Sequence, residues 1–196
     1  LNSFEKRQGV FKNYKLVSTT DFNKNSKNLQ GLEIFANPLL QTGNQLWLAN
    51  SSVGLFSLNT QTNTSAHFPL TIKDESGGLI FFMYHGVFDG TSNFWFASKS
   101  GLLSFDTLTK NWKQHLKKMP FYTLTYFKDT IFAGSNESIV WINTQNFDTG
   151  LVPLNGVPAS IKKGMVRRLY LDATGNTWAG DQEGNEHGRA GMQRRG

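Results

Sequence analysis

The side chains best suited to acid–base work or metal binding are four histidines, His67, His85, His115 and His187, scattered one by one along the 196-residue chain. No pair has the short spacing of a metal-ligand motif, so each is read as a surface or packed imidazole. There is no Cys, which excludes thiolate zinc sites, Cys nucleophiles and a disulfide framework. Asp89 and Asp172 lie in turn-like segments, Asp-Gly-Thr-Ser-Asn and Asp-Ala-Thr-Gly-Asn, where a carboxylate bonds nearby backbone N–H groups. Glycoside hydrolysis would need two carboxylates that converge in space, and no spacing in the sequence brings a pair together. The net charge is +6, and the densest basic group is Lys162, Lys163, Arg167 and Arg168. A nucleic-acid footprint needs a larger patch with stacking aromatics; this group reads as a solvated loop leading into a strand. The residues therefore predict no catalytic group, no metal, no cofactor and no nucleic-acid partner.

What must position any other chemistry is a set of strands. Aromatic residues make up 13% of the chain and charged residues 17%, which is not the profile of a disordered chain. No apolar run is long enough to cross a membrane, and no signal-peptide core is visible at Leu1. A self-comparison finds one pattern in four copies. Gln45-Leu46-Trp47-Leu48-Ala49, Asn93-Phe94-Trp95-Phe96-Ala97, Thr130-Ile131-Phe132-Ala133-Gly134 and Thr177-Trp178-Ala179-Gly180 align. The first three are followed by Gly54-Leu55 to Asn59, Gly101-Leu102 to Asp106 and Ser138-Ile139 to Asn143. The anchor aromatics recur at intervals of 48 (47 to 95), 37 (95 to 132) and 46 (132 to 178) residues. That period, with short β-branched and aromatic runs and no convincing amphipathic helix, predicts an all-β chain: a β-propeller fragment of four-stranded antiparallel blades.

The second copy predicts a whole blade. Leu79–Tyr84 is a continuous apolar run, expected as an innermost strand buried on both faces. Asn93–Ala97 and Leu102–Phe105 are the second and third strands, and Asn111–Leu116 the exposed fourth. The anchor aromatics are expected to pack between blades rather than to stack on sugars, because they recur at one position of the repeat. Blades are expected at about 32–70, 79–116 and 121–154, with half blades at 1–16 (strands at 1–5 and 12–16) and 166–184. These halves make the chain look cut from a longer array. Residues 185–196 break the pattern, having only Ala190 and Met192 as apolar residues, and are expected to be a tail unable to form a strand.

In such blades the turns between second and third strands share one face with the blade-to-blade connections, and function concentrates on loops held by a rigid scaffold. The expected ligand-binding residues are Asn50, Ser51, Ser98, Lys99, Ser135, Asn136, Asp181 and Gln182, flanked by connections at 17–30 and 155–164.

The segment Val166-Arg167-Arg168-Leu169-Tyr170-Leu171-Asp172-Ala173-Thr174-Gly175-Asn176-Thr177-Trp178-Ala179-Gly180 resembles the repeat of two-component-regulator propellers. Gly54-Leu55 with Leu58-Asn59, and Gly101-Leu102 with Phe105-Asp106, carry the rest of that repeat. The third copy departs from it at Phe132 and Ser138. The resemblance implies a periplasmic, ligand-sensing input region of a sensor histidine kinase, with a carbohydrate-type signal and dimerisation through the parent chain. It implies no enzymatic activity in this segment, since no phospho-acceptor His hairpin or ATP-binding box is present. The alternatives are a protein-interaction scaffold and, third, a propeller lyase or glycosidase.

Overall fold

A computed structural model describes residues 2–5, 10–13, 37–50, 54–73, 83–136, 138–153, 164–172, 176–180 and 186–190. Among these there are seventeen strands and no helix. The chain divides into two compact units, residues 1–71 and 72–196.

The first unit holds a two-stranded ribbon, β1 (Asn2–Glu5) and β2 (Val10–Asn13), paired with Phe4 opposite Phe11. Of the strand expected at 12–16, residues 12 and 13 lie in β2 and 14–16 lie outside the described residues. The unit also holds an antiparallel meander of β3 (Asn37–Thr42), β4 (Gln45–Asn50), β5 (Gly54–Asn59) and β6 (Thr64–Pro69). Leu48, Phe56 and Leu58 form its core, and Trp47 stacks on Phe68 at 5.6 Å.

The second unit contains three meanders. One is β7 (Met83–Phe88), β8 (Asn93–Ser98), β9 (Gly101–Asp106) and β10 (Trp112–His115). The next is β11 (Phe121–Phe127), β12 (Thr130–Ser135), β13 (Ile139–Asn143) and β14 (Thr149–Leu151). The last is β15 (Arg168–Leu171), β16 (Thr177–Gly180) and β17 (Glu186–Ala190). The β11–β14 sheet is packed on both faces, by β7–β10 on one side and β15–β17 on the other. β8, β9 and β12 are buried through five of their six residues. Trp95 on β8 packs with Phe121, Leu124, Ile131 and Ile142 of the following sheet. Phe132 does the same one sheet on, with Val166 and Ala179. The anchor aromatics of these two copies thus form inter-sheet core. Gly134 leaves room for the following segment: a Cβ there would lie 2.7 Å from Val166 Cγ1 and 2.8 Å from Val166 O.

Three expectations are corrected. The first strand of the second blade is Met83–Phe88, and none of its six residues is buried, with Tyr84 43% exposed. Of the run expected at 79–84, Met83 and Tyr84 lie in this strand. The run's first four residues, 79–82, lie outside the described residues. Trp178, unlike Trp95, is 43% exposed, since among the described residues no sheet covers its face. Finally, residues 186–190 are a strand, paired antiparallel with β16. Backbone N–H and C=O groups make that ladder, and they need no apolar side chains.

Candidate functional site

Each blade has two ends, and their chemistry differs. At one end lie the first-to-second and third-to-fourth turns, where short polar side chains close on the backbone. Asp89 Oδ1 accepts hydrogen bonds from the backbone N–H groups of Thr91 (3.0 Å), Ser92 (3.2 Å) and Asn93 (3.0 Å) and from Thr91 Oγ1 (2.8 Å). Its Oδ2 accepts from Asn93 Nδ2 (2.9 Å) and Trp95 Nε1 (3.4 Å). Asp172, Asn176 and Trp178 repeat the device, with bonds of 2.9 Å, 2.8 Å and 3.1 Å. Burial alone would raise the Asp89 carboxyl; the bonds from Asn93 and Thr91 outweigh it and hold its pKa below the ordinary value.

A second device at this end recurs in three blades. Asn59, Asp106 and Asn143 end the third strands, and each Oδ1 accepts from backbone N–H groups two and three residues on. The following threonine hydroxyl, Thr60, Thr107 or Thr144, donates to the carbonyl of Asn44, Ser92 or Asp129 across the blade. An Asx-Thr pair in three copies was the sequence signal for it. These groups bond one another, so this end is structural.

The other end carries the turns on which the expected site was placed. Ser98 is fully buried, donating from Oγ to Gly101 O at 2.7 Å. Ser135 is likewise buried, donating from Oγ to Pro120 O at 2.6 Å. The Ser98 hydroxyl is spent on its own turn, and that of Ser135 on the segment leading into β11. Lys99 and Asn136 are exposed, and Asn136 bridges by its backbone to Met165. Asn50 ends β4, while its side chain and Ser51, Asp181 and Gln182 lie outside the described residues, as do 17–30 and 155–163. Of the eight expected side chains only Ser98, Lys99, Ser135 and Asn136 are described, and no hydrogen bond joins any of these four to another.

What the structure brings together at this end is a row of three others. In β7, Met83 faces Ser98 and His85 faces Ala97, leaving Tyr84 as the extra residue of a bulge. In β11, Phe121 faces Ser135 and Thr123 faces Gly134, leaving Tyr122. In β15, Arg168 faces Gly180, and Arg167 just before it donates its N–H to Gly180 O at 3.0 Å. Tyr84, Tyr122 and Arg167 thus hold equivalent places in adjacent first strands. A bulge re-aims the side chain it inserts. The Tyr84 and Tyr122 rings lie 5.6 Å apart at 41°, and the Arg167 guanidinium sits 4.7 Å from the Tyr122 centroid. Beside them, His85 Nδ1 accepts the backbone N–H of Leu124 at 3.1 Å, which requires its lone pair. Partial desolvation, then the charge of Arg168, lower the His85 pKa. The row was not legible as a site: Tyr84 read as core, and Arg167 as a solvated loop.

The other described histidines are packed. His67 stacks on Phe56 at 4.4 Å. His115 lies against Trp95 (4.8 Å) and Phe147 (5.2 Å), with Nε2 2.9 Å from Ser104 Oγ. Among the described residues no three His, Asp or Glu side chains cluster as metal ligands.

No protein-family model matches the sequence, and no curated protein matches it. Solved structures do. The extracellular domain of BT4673 from B. thetaiotaomicron, assigned to a hybrid two component system, has a TM-score of 0.57 at 14% identity over 85% of this chain and 23% of that one. The corresponding domain of BT3049 from the same organism has a TM-score of 0.51 at 14% identity, over 95% of this chain and 30% of that one. The β-propeller domain of Cps50 (Swd1) from Myceliophteria thermophila has a TM-score of 0.55 at 13% identity, over 76% and 49%. This chain spans less than a third of the two-component domains it is similar to. At these identities the likeness is one of fold: the chain is built from β-propeller blades.

Proposed function

We propose that this chain is a non-catalytic, ligand-recognising part of the extracytoplasmic, periplasmic input region of a two-component sensor histidine kinase, with a carbohydrate-type small molecule as its signal. The observation that carries the reading is the Tyr84–Tyr122–Arg167 row at one end of the blades, in which Tyr84 and Arg167 are exposed and Tyr122 is half-buried. The rest of the blade supplies rigidity: buried middle strands, and turns closed by Asp89 and Asp172. Solved two-component extracellular domains with the same blade fold support it. Ligand binding would act by favouring one arrangement of a dimer formed through the parent chain, because a ligand shifts an equilibrium only by its differential affinity for the two states.

The parent open reading frame tests this reading. It predicts further blades, an apolar helix of about 20 residues and a histidine kinase module in the same chain. A parent chain with neither membrane helix nor signalling module would overturn it.

A further inference from the structure

We infer that the Tyr84–Tyr122–Arg167 row binds a ring-shaped ligand that carries an oxyanion; the inference rests on the ligand-recognition reading and narrows it to a charge class. Three observations lead there. First, the row is made by placement rather than by apolar burial. Tyr84 and Tyr122 are the extra residues of two bulges at matching positions, and Arg167 occupies the same position one sheet further on. Tyr84 is 43% exposed although its strand neighbour Val87 packs against the core. A phenol offers an apolar face to a ring and a hydroxyl at its rim, as suits a ligand apolar on one side and polar at its edge.

Second, the guanidinium of Arg167 lies over the Tyr122 ring, its carbon 4.7 Å from the centroid. A guanidinium has five N–H donors, and one held over an aromatic face can still grip an oxyanion in bidentate fashion. Arg168 follows it and is also exposed. Third, the carboxylates of the second unit whose side chains are described, Asp89, Asp106, Asp129, Asp148 and Asp172, all sit in the turns at the opposite end. None of them neutralises Arg167 or Arg168. A ring anion laid across the two tyrosines with its charge at Arg167 meets all three conditions. A sugar acid and an aromatic carboxylate share this chemistry.

Calorimetric titration of the full chain with digalacturonate, galactobiose and 4-hydroxybenzoate separates the outcomes. Digalacturonate is expected to bind at least tenfold more tightly than galactobiose. Arg167→Gln should remove that preference, and Tyr84→Ala should weaken binding of the anion at least tenfold. Both positions are exposed, so circular dichroism should show both variants folded. Binding of 4-hydroxybenzoate alone, with the same sensitivity to both variants, would support the shared chemistry and identify an aromatic acid as its source. Equal binding of galactobiose and digalacturonate, or anion binding unchanged in both variants, would overturn the inference, as would no binding of either anion at millimolar concentration. Galactobiose binding would leave the ligand-recognition reading standing in each of those cases, since that reading fails instead on the parent gene.

Discussion

Trp178 Nε1 donates to Asp172 Oδ2 across 3.1 Å, and six residues separate the two, the same separation as between Trp95 and Asp89. The blade uses one carboxylate to close a turn and to fix the indole of the next strand. Where the anchor is Phe132 there is no indole N–H, and the turn is a two-residue one with Lys128 and Asp129 both at positive φ. Asp89 is buried and accepts from three backbone N–H groups as well as Trp95. Asp89→Ala strands those donors and should cost about 3 kcal/mol, since each unsatisfied buried group costs about 1–3 kcal/mol. Asp172→Ala should cost about 1 kcal/mol, because water reaches the exposed Trp178. Urea unfolding checks both; equal losses would contradict the assignment.

The two indoles differ in what covers them. Trp95 is 1% exposed and Trp178 43%. Trp95→Ala should cost about 3–5 kcal/mol through the cavity it leaves between sheets. Trp178→Ala should cost less than about 1 kcal/mol. Thermal unfolding of the two variants reads the difference directly.

Gly54 and Gly101 open the third strands at φ of +109° and +139°, and an added Cβ would lie 2.4 Å from Phe68 O and 2.7 Å from His115 O. Gly43 also has positive φ, +56°, yet nothing lies within 4 Å of a Cβ there. Gly54→Ala and Gly101→Ala should therefore each cost more than about 2 kcal/mol, and Gly43→Ala about 1 kcal/mol. Similar losses at all three positions would show that backbone conformation matters and crowding does not.

Burial, then the charge of Lys113, push the His115 pKa down to about 4 from 6.5. The fold keeps the ring neutral while the unfolded chain takes up a proton, so the unfolded state binds more protons between those values. The contribution of His115 is full above pH 6.5 and is lost as pH falls towards 4. Asp89 acts lower. Its depressed carboxyl contributes above the ordinary 3.8 and stops contributing as pH falls through its folded value. Urea midpoints should decline from pH 6.5 to 4, and His115→Phe should flatten that decline. An unchanged slope in the variant would remove His115 as its cause.

The middle strands were legible in the sequence because Asn93–Ala97 and Leu102–Phe105 carry the repeat on residues that are buried. First strands were less so. The register of Met83–Phe88 follows from the Asp89 turn and the bulge at Tyr84, and the apolar run at 79–84 does not reveal it. A bulge is set by how two strands pair, and no local composition announces it. Ser98 and Ser135 have the polarity expected of a site on the turns, but their buried hydroxyls bond Gly101 O and Pro120 O. Tyr84, Tyr122 and Arg167 look unrelated in the chain, lying in an apolar run, a strand and a basic segment. Only pairing puts them in one row. Residues 186–190 were misjudged because apolar content was taken as the test of a strand, while β17 is held by its backbone.

The account stands or falls on whether that row receives a signal. The most direct measurement is the signalling output of the parent protein in its own host, comparing the native chain with the double variant Tyr84→Ala, Arg167→Gln at equal protein abundance. The account predicts an output that rises with an inducing saccharide in the native protein and stays at its uninduced level in the variant. An induced output of the same size in both would contradict it.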